Sequence, residues 1–357
     1  MKILVDASRL NISKPTGTNN YLYNLVYFLS RIDTHNEYTL AFKNIPSENI
    51  LNDLFNTNPN FKYKVIKNKH FWTQVGLCLE TYAQKYDILF CPWQTFPFFH
   101  APNVKVISML HDRGFSLPSI FSTIFTCHFS HKIVTVSKYV KNNLSNIYFV
   151  PKSKITVIYE AGFLNTNIEH IPCNKNTSNY IFFIGTLDKR KNIKRMIQGF
   201  LQSKLANKFK FYIAGREGND KSLISEYANN PSIKFLGYIS NEDYLCYLKN
   251  AFAFVFVSLE EGFGIPPLEA MAFKKPVITS DTTSLYELYK ECCLLADPKS
   301  EESIRDALNM LLDNELYSKY ANLGFEYQKK FSWHKTAFET MTLFNSFPTR
   351  RTNEKKS

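Results

Sequence analysis

The chain has 357 residues, of which 45% are hydrophobic and 15% aromatic (31 Phe, 21 Tyr), with a net charge of +12. That length can bury two cores, and the hydrophobic share is that of an ordinary globular protein. The positive charge comes without an arginine-rich cluster, zinc-finger spacing or RNA-binding motif, which argues against nucleic acid and leaves anionic lipid or a phosphorylated substrate as partners.

In chain order, Lys2–Asp6 reads as a first buried strand. A loop over 7–18, containing Pro15 and Gly17, leads to a helix over 20–31 with apolar residues at helical spacing. Strand patterns follow at 38–42, 62–66, 87–91 and 104–110, with a helical stretch at 71–86. Strands alternating with helices predict a parallel sheet covered on both faces. His111 and Asp112 close the strand 104–110. Ligands of open α/β sheets bind at the carboxyl ends of strands, so His111 is a candidate contact for a reacting group, beside the alternative of a satisfied structural histidine. Ser137 is placed as the N-cap of the helix that follows strand 132–136. Strand 154–159 ends the first half, and the polar stretch 168–179 reads as a linker.

The pattern then restarts. Strand 180–185 leads to a turn holding Arg190 and Lys191 and to a helix ending near Phe200. A cationic pair at a strand-to-helix turn can neutralise a diphosphate leaving group, although Lys189, Lys194 and Arg195 nearby also fit a solvated basic face. Strands 210–215 and 233–239 end in Gly215 and in Gly237-Tyr238. A helix over 241–250, strands at 276–280 and 292–298, and helices over 301–314, 316–330 and 334–347 complete the chain.

One segment organises this second half. Residues 252–258 form a fully apolar run, suited to a strand buried on both faces. Gly262, Phe263 and Gly264 make a turn in which backbone can approach a ligand, and Ile265, Pro266 and Pro267 open a helix. A strand, a glycine turn and a helix N-terminus together present free N–H groups to an anion such as a phosphate. Glu261 and Glu269 frame this turn; as acceptors they suit sugar hydroxyls rather than phosphate. On the residues alone, Glu261 also fits a solvated loop and Glu269 a complement to the helix dipole.

The run from Glu261 through Glu269-Ala-Met resembles, almost letter for letter, the Glu-x7-Glu signature of retaining nucleotide-sugar glycosyltransferases of family 4. Leu110-His111-Asp112 and Gly185-Thr-Leu-Asp-Lys-Arg190-Lys191-Asn192 resemble two further elements of that family, and Asp6-Ala-Ser-Arg9 points to its mannosyltransferase-like subgroup. The resemblance is strong over 180–298 and weaker before it. It implies the GT-B fold: two Rossmann-like α/β domains facing across a cleft, an acceptor domain over 1–165 joined by the C-terminal helix 334–357, and a nucleotide-sugar domain over 175–333. It further implies that His111 and Glu261 are catalytic and address the donor sugar. Arg190, Lys191, Tyr238, Gly262, Phe263, Gly264, Ile265 and Glu269 would bind the donor, and the loop at Gly17 the acceptor. No metal and no cofactor are expected, the donor being a GDP- or UDP-sugar with mannose favoured.

The expected reaction is hexose transfer with retention to a glycan or polyprenyl-diphosphate-linked saccharide, in surface polysaccharide or lipopolysaccharide synthesis. The competing readings are a nucleotide-sugar epimerase or phosphorylase on the same fold, a dehydrogenase, and a non-catalytic module binding nucleotide or anionic lipid. The absence of GxGxxG after the first strand argues against the dehydrogenase. Residues 1–165 hold 17 Lys and Arg against 9 Asp and Glu, the remainder 26 against 22, so the acceptor half is the more basic and suits an anionic membrane surface. Seven scattered cysteines without a CxxC pair indicate neither a zinc site nor a disulfide framework. With no signal peptide pattern and no apolar run near ~18 residues, a cytoplasmic location is expected, peripheral on the inner face of the plasma membrane at most.

Overall fold

The computed structural model describes residues 1–10, 17–68, 70–114, 116–162, 173 and 179–348. Contacts divide the chain into two units, Met1–Glu160 with Ser332–Ser357, and Ala161–Phe331. The expected linker, 168–179, lies almost wholly outside the described residues.

The first unit is built on a parallel sheet of β1 (Lys2–Asp6), β2 (Glu37–Phe42), β3 (Phe61–Val65), β4 (Ile88–Cys91), β5 (Lys105–Leu110), β6 (Lys132–Thr135) and β7 (Ile155–Val157). Its order is β3-β2-β1-β4-β5-β6-β7. Every residue of β4 is buried, as a strand covered on both faces requires. Its helices are α1 (Gly17–Ile32), α2 (Glu48–Phe55), α3 (Cys78–Ala83), α4 (Leu117–Phe129) and α5 (Lys138–Tyr148), with a π-helical turn over Trp72–Leu77 before α3. Ser137 caps α5 by accepting from the Val140 amide at 3.2 Å. Gly17, read as a loop residue, is the first residue of α1.

The second unit holds β8 (Tyr180–Ile184), β9 (Lys210–Ala214), β10 (Ile233–Gly237), β11 (Ala253–Phe256), β12 (Val277–Ser280) and β13 (Leu294–Ala296), all parallel, in the order β10-β9-β8-β11-β12-β13. It is covered by α6 (Ile193–Gln202), α7 (Ser222–Glu226), α8 (Asn241–Asn250), α9 (Ile265–Ala272), α10 (Thr283–Tyr289), α11 (Glu301–Met310) and α12 (Asn314–Gln328). The last helix, α13 (Trp333–Asn345), belongs to the first unit. There Thr336 Oγ1 donates to the Tyr159 carbonyl at 2.7 Å, and the Phe344 ring meets Phe90 edge-on at 5.4 Å.

One expectation is overturned. Cys173 and Cys246 are joined by a disulfide. The partners lie 73 residues apart, so no local spacing reveals them. Among the described residues no helix is long and apolar enough to cross a membrane.

Candidate active site

Strand order fixes where the site of the second unit lies. From β8 the chain winds outward through β9 and β10, then returns to the other side of β8 with β11. The winding reverses between β8 and β11, and ligands of such sheets bind at the carboxyl ends beside that reversal. The loops leaving these two strands are stapled together. Asn192 adopts a left-handed φ of 60°, which asparagine tolerates, and starts α6. Its buried amide donates to the Val257 carbonyl at 3.0 Å and the Pro298 carbonyl at 2.6 Å. The Leu259 amide donates to the Arg190 carbonyl at 2.8 Å.

The staple sets Arg190 and Lys191, after β8, against Glu261, after β11. Glu261 is buried rather than solvated. Its Oε1 accepts from Lys191 Nζ at 2.5 Å and its Oε2 from Arg190 Nη1 at 3.2 Å. Ser284 Oγ holds the Glu261 carbonyl at 2.7 Å, and Arg190 also donates to the Glu260 carbonyl at 3.3 Å. Burial opposes ionisation of Glu261, but the charges of Lys191 and then Arg190 outweigh it and hold the pKa below the ordinary carboxylate value. Burial lowers the pKa of Lys191, with Glu261 acting against it. Its ammonium also sits 5.0 Å from the centre of the Phe256 ring. Two cations and one carboxylate leave a net positive charge at the carboxyl edge of the sheet. Buried ion pairs are poor sources of stability, and perturbed groups of this kind concentrate at functional sites.

The glycine turn follows directly. Gly264 has a φ of 88° and precedes α9, and a Cβ there would lie 2.6 Å from Leu285 Cδ2. Its carbonyl accepts from the Tyr289 hydroxyl at 2.6 Å. Phe263 is buried against the edge of Phe331, while Gly262 and Ile265 are half-buried. Glu269 is the fifth residue of α9, so it stands in the second turn. Its Oε2 accepts from the Tyr244 hydroxyl at 2.5 Å. Burial raises its pKa to about 7, with the Tyr244 hydrogen bond acting against the rise. Gly162 lets the chain pass close by, since a Cβ there would approach Glu269 Cγ to 3.3 Å. Tyr238 follows Gly237, whose φ is 66°, and its half-exposed ring carries the Arg216 guanidinium at 5.1 Å. It leaves β10, two strands from β8, and so stands about 10 Å from the cation pair's strand.

Arg190, Lys191, Glu261 and the turn 262–265 thus come together, with Glu269 on the helix they open. His111 and Gly17 belong to the other unit. His111 leaves the carboxyl end of β5; its Nδ1 lies 3.1 Å from Glu160 Oε1, and the ring meets Tyr21 edge-on at 5.1 Å. Its buried Nε2 has no hydrogen-bond partner among the described residues. Gly17 is exposed, with open space where a Cβ would stand. The sequence reading assigned no role to Asn192, Tyr244 or Glu160. It also assigned none to Asp6, a buried carboxyl at the end of β1 whose pKa burial raises, with Ser8 acting against it. Among the described residues no three His, Cys, Asp or Glu side chains form a group that could hold a metal ion.

Two Rossmann-like parallel sheets in one chain are the architecture of the GT-B fold. Residues 166–330 match the model of the family described as "Glycosyl transferases group 1". The chain is 30% identical over 172 residues to O-antigen chain mannosyltransferase B of Escherichia coli, covering 46% of this chain and 45% of that one. It is 31% identical over 180 residues to O-antigen chain mannosyltransferase RfbU of Salmonella typhimurium, covering 49% of each. The chain spans about half the length of these relatives. Anabaena HepE, whose crystal structure is in complex with UDP and glucose, shares the fold at a TM-score of 0.73 and 15% identity, over 97% of this chain and 100% of that one.

Proposed function

We propose that this chain is a retaining hexosyltransferase that moves mannose from GDP-mannose to a lipid-linked saccharide during surface polysaccharide assembly. The observation that carries the reading is the pairing of Arg190 and Lys191 with the buried Glu261. In the free protein Glu261 occupies both cations. A donor diphosphate exchanges that partner for phosphate oxygens, and the Glu261 carboxylate turns to the sugar hydroxyls. Arg190 and Lys191 then hold charge as it develops on the departing diphosphate, fixed donors in a dry setting being the strongest catalytic device available. The amides opening α9 add to that anion site, and Glu269 accepts from the ribose hydroxyls. Tyr238 borders the base. His111, with Nδ1 held by Glu160 and Nε2 unengaged, contacts the sugar near its anomeric carbon.

Charge stabilisation by side chains needs no divalent cation, so activity is metal-independent in this reading. Mannose is favoured because both O-antigen relatives are named mannosyltransferases. The enzyme works in the cytoplasm at the anionic inner face of the plasma membrane, where a lipid-linked acceptor resides. The test is thermal shift and sugar transfer with a panel of GDP- and UDP-sugars, with and without EDTA. Stabilisation and transfer with GDP-mannose, unchanged by EDTA, are expected. A response to a UDP-sugar alone replaces the donor, and loss of transfer in EDTA overturns the metal-independent mechanism.

A further inference from the structure

Ten of the twenty large hydrophobic side chains that the described residues leave exposed fall between Phe71 and Phe129. Single exposed apolar residues need no explanation, but a contiguous patch does. These ten follow two helical stripes and the loop between them. Phe71, Val75, Leu79 and Tyr82 recur every three or four residues along the π-helical turn and α3, which sets them on one face. Glu80, the one charged residue in that stretch, turns inward instead. It is buried, accepts from the Tyr86 hydroxyl at 2.9 Å and pairs with Lys64 Nζ at 2.6 Å.

The second stripe is Leu117, Phe121, Ile124 and Phe129 on α4, with Leu117 at 73% and Phe121 at 70% exposure. The sequence carries no Asp, Glu, Lys or Arg from 88 to 104 or from 114 to 131. Phe125 joins the second stripe to the loop, its ring 4.5 Å from Phe98 and 4.9 Å from Phe129. Gln74 ties the first helix to the same loop, donating to the Phe96 carbonyl at 3.2 Å and accepting from the Phe98 amide at 2.8 Å. The exposed face is therefore continuous.

Its edges are basic. Lys154 donates to the His128 carbonyl in the last turn of α4 at 2.8 Å, and Lys132 donates to the Ser153 carbonyl at 2.7 Å, beside the exposed Lys152. At the opposite helix the exposed Lys43 stands 5.7 Å from the Trp72 ring. Leucine and phenylalanine on an uncharged helical face, bordered by lysine, is the pattern of a helix lying in a bilayer interface. The lysine border favours anionic headgroups over a second apolar protein surface. We infer that this face seats the first unit on an anionic bilayer, the rings and leucines entering the headgroup boundary and the lysines meeting lipid phosphates. The inference deepens the lipid-linked-acceptor reading and rests on it for its purpose; vesicle binding involves no sugar transfer, so the two fail separately.

The full chain is mixed with sucrose-loaded vesicles of phosphatidylcholine, alone or with phosphatidylglycerol, and sedimented. The wild type is expected to pellet with the mixed vesicles and to be released by salt. Leu117→Gln/Phe121→Gln/Phe129→Gln lowers that partition by roughly tenfold or more, with the melting temperature and transfer to a soluble acceptor unchanged. Val75→Gln/Leu79→Gln, on the other stripe, lowers it independently, and Leu312→Gln/Leu323→Gln in the second unit does not. Failure of the wild type to pellet, or equal pelleting of the triple variant, overturns the inference. So does a wild-type dimer that the triple variant abolishes, since a second copy would then cover the face.

Discussion

Lys191→Met tests the ion cluster where its energetics are most exposed. The substitution keeps the bulk of the side chain and removes one cation from a buried carboxylate. Deleting one partner of a buried pair costs about 3–5 kcal/mol, most of it the uncompensated charge left behind. Two features hold the cost to the low end. Arg190 remains 3.2 Å from the other carboxylate oxygen. Glu261 can also escape by taking a proton, and forcing a carboxyl that titrates near 4.5 to protonate at pH 7 costs roughly 3 kcal/mol. For a unit of this size 1 kcal/mol moves the melting temperature by about 2–4 °C, so a loss of roughly 6–12 °C is expected at pH 7.

The sign of its pH dependence is fixed. In the wild type the depressed pKa of Glu261 contributes stability above the unfolded value near 4.5, which is lost as pH falls through the folded value. In Lys191→Met that pKa rises, so the deficit against wild type widens from pH 5 to pH 8. Lys191→Met/Glu261→Gln removes both charges and recovers most of the loss. Thermal unfolding across pH measures all three proteins. A single variant as stable as wild type at pH 7, or a double variant no better than the single, would refute the picture of a desolvated pair.

The remaining predictions concern neighbouring groups. Glu269 titrates near 7, so ionising it costs the fold up to roughly 3 kcal/mol as pH rises from 4.5 through 7; Glu269→Gln should melt higher than wild type at pH 8 and lose that advantage near pH 4.5. Wild-type affinity for GDP should rise across the same window as the carboxylate forms, and calorimetry should find the Gln variant flat. Asn192→Ala removes two buried hydrogen bonds and puts alanine at a φ of 60°, for an expected loss of about 3 kcal/mol in denaturant unfolding. His111→Ala should cut transfer by about 10²-fold or more while donor affinity and melting temperature hold, and a variant that loses both together would mark a structural histidine.

What the sequence made legible was local. The run 252–258 contains β11, and the Glu-x7-Glu and Arg-Lys-Asn signatures picked out residues that the fold brings together from opposite sides of the β8–β11 reversal. What it hid was burial and partners distant in sequence. Glu261 in a loop fits a solvated carboxylate until Lys191 and Arg190 are seen to enclose it. Asn192 bonds to carbonyls 65 and 106 residues away, and the partner of Cys173 is 73 residues off, separations that carry no periodic signal. Helix α4 escaped for another reason: its outward face is as apolar as its inward one, so the alternation that marks an amphipathic helix is missing.

The placement of α13 bears on how the chain is made. The first unit is sewn shut by α13: Trp333 lies against Tyr21, Phe344 against Phe90, and Asn36 donates to Asn345 Oδ1 at 3.0 Å. A chain leaving the ribosome from its N-terminus holds residues 1–160 with the docking site for α13 still bare. The second unit, Ala161–Phe331, has all its own strands before that helix emerges. The later half can therefore finish first, and the earlier half waits for its final thirteen-residue helix. A fragment cut at residue 160 would inherit the same open seam, whereas one spanning 161–331 would not.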